Sequence, residues 1–95
     1  MLQLPAALTK TTATRCLHDL LADLSAQTGE VQVNASGLGE FDSTALAVLL
    51  ALRREALRLK RGFAIAGLPT RLAELARLYG IAELLPALAG TPPLK

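Results

Sequence analysis

The sequence predicts a single α/β domain in which helices pack on a small mixed or parallel sheet. Two short segments, residues 30–35 and 63–66, have the apolar patterns of strands. Three longer segments have the composition and spacing of helices, and they lie before, between and after these strands. Because the elements alternate in the order (β)-α-β-α-β-α-α, we expect a layered fold whose strands after the first helix are parallel.

The first third of the chain predicts an edge strand, a helix and a central strand. Residues 1–4 alternate, and Pro5 ends this short strand. The first helix has an apolar stripe at i, i+3, i+4 and i+7, and Gly29 is placed to close it in a left-handed conformation. The stripe consists of Leu17, Leu20, Leu21 and Leu24. In the strand that follows, Val31, Val33 and Ala35 share one face.

The second helix is predicted over residues 43–60, with an apolar first half, a basic second half and Gly62 as its end. Its buried positions should include Leu46, Leu49 and Leu50. Pro69 suits the first position of a third helix, and Gly80 stops it. The apolar stripe of the third helix comprises Leu68, Leu72, Leu75, Ala76 and Tyr79. A short helical turn follows at 81–85, so we expect the domain to cover residues 1–90 and residues 91–95 to form a frayed tail.

Composition narrows the class of protein. The chain has 95 residues, 52% of them hydrophobic but only 3% aromatic, which predicts one domain with an aliphatic core. No apolar run approaches the roughly 18 residues that span a bilayer, so we expect no membrane insertion. No basic segment followed by an apolar one marks a signal peptide. A single cysteine, Cys16, allows no internal disulfide and favours a cytoplasmic setting.

Charge is divided unevenly along the chain. Residues 1–50 carry two basic and five acidic residues, whereas residues 51–95 carry eight basic and three acidic residues. The basic half either forms a solvated helix face or meets an acidic partner. Nucleic acid is not the expected partner, because stacking aromatic side chains are nearly absent.

The sequence contains few residues that could serve in catalysis. Cys16 and His18 lie two residues apart on one helix and therefore do not face each other. No further cysteine or histidine exists to complete a metal site, and no Walker-type phosphate loop is present. The sequence therefore predicts a non-enzymatic protein without a cofactor or metal.

One tripeptide, Asp42-Ser43-Thr44, carries the remaining functional signal. It precedes the apolar run of the second helix, where either Asp42 or Ser43 can accept a hydrogen bond from the first turn. The structural interpretation is a helix cap. The functional interpretation is an exposed hydroxyl at a helix N-terminus, suited to a phosphate or to a partner. The two are compatible, since one residue can cap while another faces solvent.

Residues 31–50, VQVNASGLGEFDSTALAVLL, resemble a STAS domain, the sulfate-transporter and anti-sigma-factor-antagonist family. In that family an Asp-Ser or Asp-Thr pair opens the second helix. The resemblance makes Ser43 the counterpart of the phosphorylated position of anti-sigma-factor antagonists, and Asp42 the acid before it. It also implies an N-terminal β-hairpin, here shortened to residues 2–4.

The segment 69–86, with LARLYGI at 75–81 and LLP at 84–86, is similar to one branch of the family. These are the small cytoplasmic STAS subunits of the Mla phospholipid-transport ABC complexes of Gram-negative bacteria. The resemblance implies a subunit that binds the transporter ATPase, and through it the permease, and supports outer-membrane lipid asymmetry. The chain would be peripheral to the inner membrane through this partner. Asp42, Ser43 and Thr44 would then touch the ATPase, and the partner surface would extend to Leu38, Glu40 and Ala47. The alternative implied function is an anti-sigma-factor antagonist switched by phosphorylation of Ser43.

Overall fold

A computed structural model describes residues 1–86, and it contains five short strands, three helices and a final 3-10 turn. The elements in chain order are β1 (Leu2–Gln3), β2 (Ala7–Leu8), α1 (Ala13–Ala26), β3 (Val31–Asn34), β4 (Glu40–Phe41), α2 (Thr44–Arg58), β5 (Phe63–Ala66), α3 (Thr70–Leu78) and the 3-10 turn (Ala82–Leu84). The α/β class and the alternation of strands and helices are confirmed. The predicted domain boundary at residue 90 and the tail 91–95 lie outside the described residues.

All strand pairs between residues 1 and 86 are parallel. The main sheet has the order β1-β3-β5, with Gln3 opposite Asn34 and Val33 opposite Ile65. A second, smaller sheet pairs β2 with β4. The expectation of an N-terminal hairpin is therefore wrong. The first eight residues are a single extended segment, bent near Pro5, in which β1 pairs with β3 and β2 pairs with β4, both in parallel.

Helices α1 and α2 pack against each other, with α1 also against β1 and α2 also against β5. Because both helices contact the sheet and each other, they cover the same face of it. Between them and the sheet lies an aliphatic core. Its most deeply buried large side chains are Leu2, Leu8, Leu24, Val31, Val33, Leu49, Leu52, Ile65 and Leu72. The predicted inward face of β3 is confirmed, since Val31, Val33 and Ala35 are all buried.

The helix ends differ from the prediction at α2. The residue in the left-handed conformation is Lys60 (φ 58°) and not Gly62. The Lys60 N–H donates to the Leu57 carbonyl (3.0 Å) and the Arg61 N–H to the Ala56 carbonyl (2.8 Å), the two bonds of a Schellman motif. In α3 the same motif is built on Gly80, as predicted.

Two further expectations on helix boundaries are corrected. Pro69 precedes the first helical residue of α3 rather than occupying it. Gly29 is left-handed (φ 83°), but α1 already ends at Ala26, so this glycine turns the loop that enters β3.

The guanidinium of Arg61 holds the end of α1 against the loop after α2. Its Nε donates to the Gly29 carbonyl (2.6 Å) and its Nη1 to the Leu24 carbonyl (2.8 Å). A cation beside the Leu24 carbonyl is favourable, because this carbonyl lies in the last turn of α1, at the negative end of the helix dipole. The C-terminal ends of α1 and α2 are therefore held together.

The predicted apolar stripes are partly confirmed. Leu46 and Leu49 are buried, whereas Leu50 is only half-buried. On α3, Leu72 and Ala76 are buried, but Tyr79 is 56% exposed. Tyr79 is excluded from the core because it follows the last helical residue, where the chain turns away at Gly80.

Candidate functional site

The start of α2 is positioned by the N-terminal segment. Leu8 pairs with Phe41 in the second sheet, and the Ala6 carbonyl accepts hydrogen bonds from Gly39 N–H (2.8 Å) and Glu40 N–H (2.9 Å). Leu8 is fully buried and anchors this segment in the core. The loop that leads to Asp42 is therefore fixed on one side by residues that lie more than thirty positions earlier in the chain.

Asp42 performs the capping role that the sequence left open between two residues. Its Oδ1 accepts from the Thr44 backbone N–H (2.8 Å), and its Oδ2 accepts from the Lys10 backbone N–H (3.1 Å). Hydrogen bonds from the Thr44 side chain and backbone, and then from the Lys10 backbone, lower the pKa of the Asp42 carboxyl below its ordinary value. Asp42 thus joins the start of α2 to the turn before α1.

Ser43 is left free by this arrangement. It occupies the N-cap position of α2, but its side chain makes no capping hydrogen bond. It is exposed, whereas Thr44 next to it is half-buried. The first turn of α2 carries no acidic residue. The Ser43 hydroxyl therefore faces solvent at the positive end of a helix dipole, where a phosphate or an acceptor group of a partner is favoured.

Of the remaining residues that were predicted to form the partner surface, two are exposed and one is buried. Glu40 and Ala47 are exposed, close in sequence on either side of Ser43. Leu38 is only 5% exposed and belongs to the core, so its assignment to a partner surface is wrong. The turn that brings the Leu38 N–H to the Ala35 carbonyl (3.1 Å) lies next to the buried end of β3, and it directs the leucine inward.

The structure adds Lys10 to the residues that build the site, and the sequence offered little sign of it. Its contribution is a backbone N–H, so no side-chain motif reports it. The only signal was the polar, threonine-rich stretch before α1, where Thr9 and Thr12 form a local hydrogen-bonded turn (Thr9 N–H to Thr12 Oγ1, 3.1 Å).

Cys16 and His18, whose side chains could serve as a nucleophile or a metal ligand, lie on α1, far from Ser43 in sequence. Cys16 is half-buried, and burial, followed by the nearby Asp19 carboxylate, raises the pKa of its thiol. A raised pKa reduces the thiolate fraction and with it the reactivity. His18 is exposed. Within residues 1–86, His, Cys, Asp and Glu side chains form no group of three that could hold a metal ion.

No helix in the described part of the chain combines the length and the apolar character needed to cross a membrane. The fold and the site together define a small parallel α/β domain that presents a hydroxyl at the start of its second helix. The chain belongs to the STAS-domain family, since the family model described as "Mlab, STAS domain" matches residues 1–86. A comparison with curated proteins found no match.

The family match confirms the resemblance drawn from the sequence and extends it. That resemblance rested on residues 31–50 and 69–86, whereas the family match begins at residue 1 and so includes β1, β2 and α1. The N-terminal segment that positions Asp42 is therefore part of the family fold.

Proposed function

We propose that this chain is a non-enzymatic STAS subunit that binds the ATPase of an Mla-type phospholipid-transport ABC complex. It would support the assembly and activity of the complex, and so the lipid asymmetry of the outer membrane. The MlaB-like family match motivates this choice of transporter. The proposal places the chain in the cytoplasm, peripheral to the inner membrane through the ATPase.

The observation that carries the proposal is that Asp42 caps the start of α2 while the neighbouring Ser43 stays exposed. Asp42 is engaged by two backbone N–H groups, so it organises the helix start from within. Ser43 projects from that ordered start without a capping bond of its own. An exposed polar group held in a fixed position can contact a partner without first losing much conformational freedom.

The proposal is tested by co-expressing the tagged chain with its cognate ATPase and measuring the ATPase that co-purifies. Ser43→Arg should weaken the complex, because a long cation at the helix N-terminus opposes the dipole and fills the contact. Ser25→Arg is the matched control, since Ser25 is an exposed serine on α1. Equal recovery of the ATPase with Ser43→Arg and with wild type would remove Ser43 from the contact, and no recovery with wild type would reject the ATPase as partner.

A second function, the anti-sigma-factor antagonist, is supported by the same exposure of Ser43. A phosphate there would add a charge of about −1.5 to −2 beside the Asp42 carboxylate and so repel an acidic partner surface. Intact-mass measurement of the chain from its native cells distinguishes the two functions. A phosphorylated Ser43 and a kinase-like partner would favour the switch, whereas an unmodified chain bound to an ATPase would favour the transporter subunit.

A further inference from the structure

The outer side of β1 is a free edge of the main sheet. The strand order β1-β3-β5 gives β1 a neighbouring strand on one side only. On that side the Leu4 N–H donates to the Asn34 carbonyl (3.0 Å). Because the peptide groups of successive residues in a strand point to opposite sides, the N–H and the carbonyl of Gln3 point away from β3. Neither of these two groups has a hydrogen-bond partner within residues 1–86.

A groove lies beside this edge, between residues 3–7 and one side of α1 from Thr12 to Asp23. We call it the β1–α1 groove. Its volume is about 470 Å³, which is within the range of protein sites that bind ligands. The buried side chains of Leu4 and Leu20 form part of its apolar lining. Arg15, Asp19 and Asp23 also line it, and their spacing of four residues places them above one another on the helix.

The charged side chains of the groove are exposed and form no ion pair within residues 1–86. Asp19 and Asp23 repel each other, because like charges four residues apart on a helix are close neighbours. Asp23 also lies in the last turn of α1, where the helix dipole disfavours a negative charge and no basic residue balances it. Residues that oppose the stability of their own element are typical of functional sites. A cationic ligand would remove both unfavourable interactions.

We infer that the β1–α1 groove binds an extended peptide of a partner protein, with basic side chains at two alternate positions of the peptide. The peptide adds a strand to the free edge of β1, and the N–H and carbonyl of Gln3 are its backbone partners. Alternate side chains of a strand lie about 6.6 Å apart on one face, and Asp19 and Asp23 lie about 6 Å apart along α1. Each basic side chain therefore meets one carboxylate. Arg15, one turn earlier, limits the basic stretch to these two positions.

The strands of a second copy do not match this description. None of the five strands between residues 1 and 86 contains a lysine or an arginine. The occupant is therefore a segment of another protein. The inference does not depend on the proposed function, because no residue of the tripeptide 42–44 takes part in it.

The test measures the binding of a synthetic peptide, fluorescein-Thr-Val-Lys-Val-Lys-Val-Thr-amide, to the purified full chain by fluorescence polarisation. Its lysines lie on one face of a strand, and its sequence is the same in both directions, so it fits a parallel or an antiparallel pairing. The control peptide, fluorescein-Thr-Val-Val-Lys-Lys-Val-Thr-amide, has the same composition but places its lysines on opposite faces. It should bind about twofold to fivefold more weakly, since only one carboxylate gains a partner.

Replacing both carboxylates tests the acidic side of the groove. The double variant Asp19→Asn, Asp23→Asn should raise the Kd of the first peptide by about threefold to twentyfold. Its urea midpoint should not fall, because the repulsion between the two side chains is removed. The control variant Glu74→Gln, Glu83→Gln makes the same change in net charge at two exposed positions outside the groove. It should bind within about twofold of wild type.

Two substitutions at one position test the backbone bonds. Gln3→Pro removes the outward N–H, and proline is tolerated where the N–H of an edge strand faces away from the sheet. Gln3→Ala is its control, because both variants lose the side-chain hydrogen bond with Asn34 (3.0 Å) but alanine keeps the N–H. The first peptide should bind more weakly to Gln3→Pro than to Gln3→Ala, and urea titration checks that both variants fold.

Equal binding of the two peptides would overturn the inference, as would wild-type affinity in the double aspartate variant or equal affinity in Gln3→Pro and Gln3→Ala. The inference also fails if the first peptide shows no saturable binding. If the double aspartate variant instead abolishes a self-association seen by light scattering, and the peptide does not bind, the groove binds a second copy. The ATPase is absent from this assay, so a failure of the proposed function would leave these results unchanged.

Discussion

Leu49→Ala should be among the most damaging single substitutions in α2, since Leu49 is fully buried in the middle of the helix. The substitution removes three carbon groups, which at about 0.8 kcal/mol each amounts to roughly 2.4 kcal/mol of lost burial. The cavity left behind adds to this, because a packed core relaxes only in part. We therefore expect a total loss of about 3–4 kcal/mol in the free energy of unfolding.

Leu57→Ala provides the matched control, with the same chemical change in the same helix at a position that is 53% exposed. Its expected cost is below about 0.5 kcal/mol. Leu49→Met tests the cavity argument separately, since it nearly conserves volume and should cost less than about 1.5 kcal/mol. Urea titration followed by far-UV circular dichroism measures all three, and an unchanged slope shows that only stability has altered.

A loss below about 1 kcal/mol for Leu49→Ala, or a loss equal to that of Leu57→Ala, would refute this reasoning. It would mean that α2 does not present Leu49 to the core.

Four other substitutions test the turns and the site. Lys60→Gly should stabilise the chain by about 1 kcal/mol in the same urea assay, because glycine adopts the left-handed conformation without strain. Gly80→Ala should cost about 1–2 kcal/mol from backbone strain alone. Gly67→Ala should cost about 1–3 kcal/mol more than that, since its new Cβ would lie 2.7 Å from the Ser36 Cβ; equal losses at the two glycines would contradict the close packing. Asp42→Ala should lower the urea midpoint at neutral pH, because two backbone N–H groups lose their acceptor. The lowered pKa of Asp42 means that its contribution is present above the unfolded-state pKa and is lost as the pH falls through the folded-state value. The difference between wild type and Asp42→Ala should therefore shrink on acidification below about pH 4, and a constant difference would contradict this role.

The parts of the fold that the sequence predicted are those with a long periodic signal. Val31, Val33 and Ala35 alternate because β3 has one face in the core, and that period is visible over six residues. Strands β2 and β4 are two residues each, too short to show any period. Their pairing depends on the proximity of segments more than thirty residues apart, which local patterns do not encode.

Helix ends were predictable only where glycine does the turning. Gly80 supplies the left-handed residue after α3, as expected from its conformational freedom. After α2 the nearest glycine is Gly62, yet the chain turns two residues earlier at Lys60. In its place, the Arg61 N–H closes the turn onto the Ala56 carbonyl and the Arg61 guanidinium caps the end of α1. The first of these is a local bond of the helix end, and the second is a tertiary contact that composition does not reveal.

The location of the site was predictable from the sequence, but its hydrogen bonds were not. The tripeptide at 42–44 marks a helix start by residue type alone. The choice of Asp42 over Ser43 as the cap depends on a second acceptor oxygen that reaches the Lys10 N–H, 32 positions earlier in the chain. Leu38 was assigned to the partner surface by the family resemblance, yet the fold turns this side chain into the core.

The parallel pairing of every strand between residues 1 and 86 determines the order in which the protein can assemble during synthesis. Leu2 cannot pair until Val33 has been synthesised, and Val31 cannot pair until Phe63 has been synthesised. Each pairing therefore closes a loop of about thirty residues. No pair of strands within residues 1–86 can form as a hairpin while the chain is still emerging, and sheets built this way fold slowly. A ribosome that stalls before residue 63 would release a chain in which β3 has an unpaired edge. The last strand to be made among the described residues, β5, therefore governs when the exposed edge of β3 ceases to be a site for aggregation.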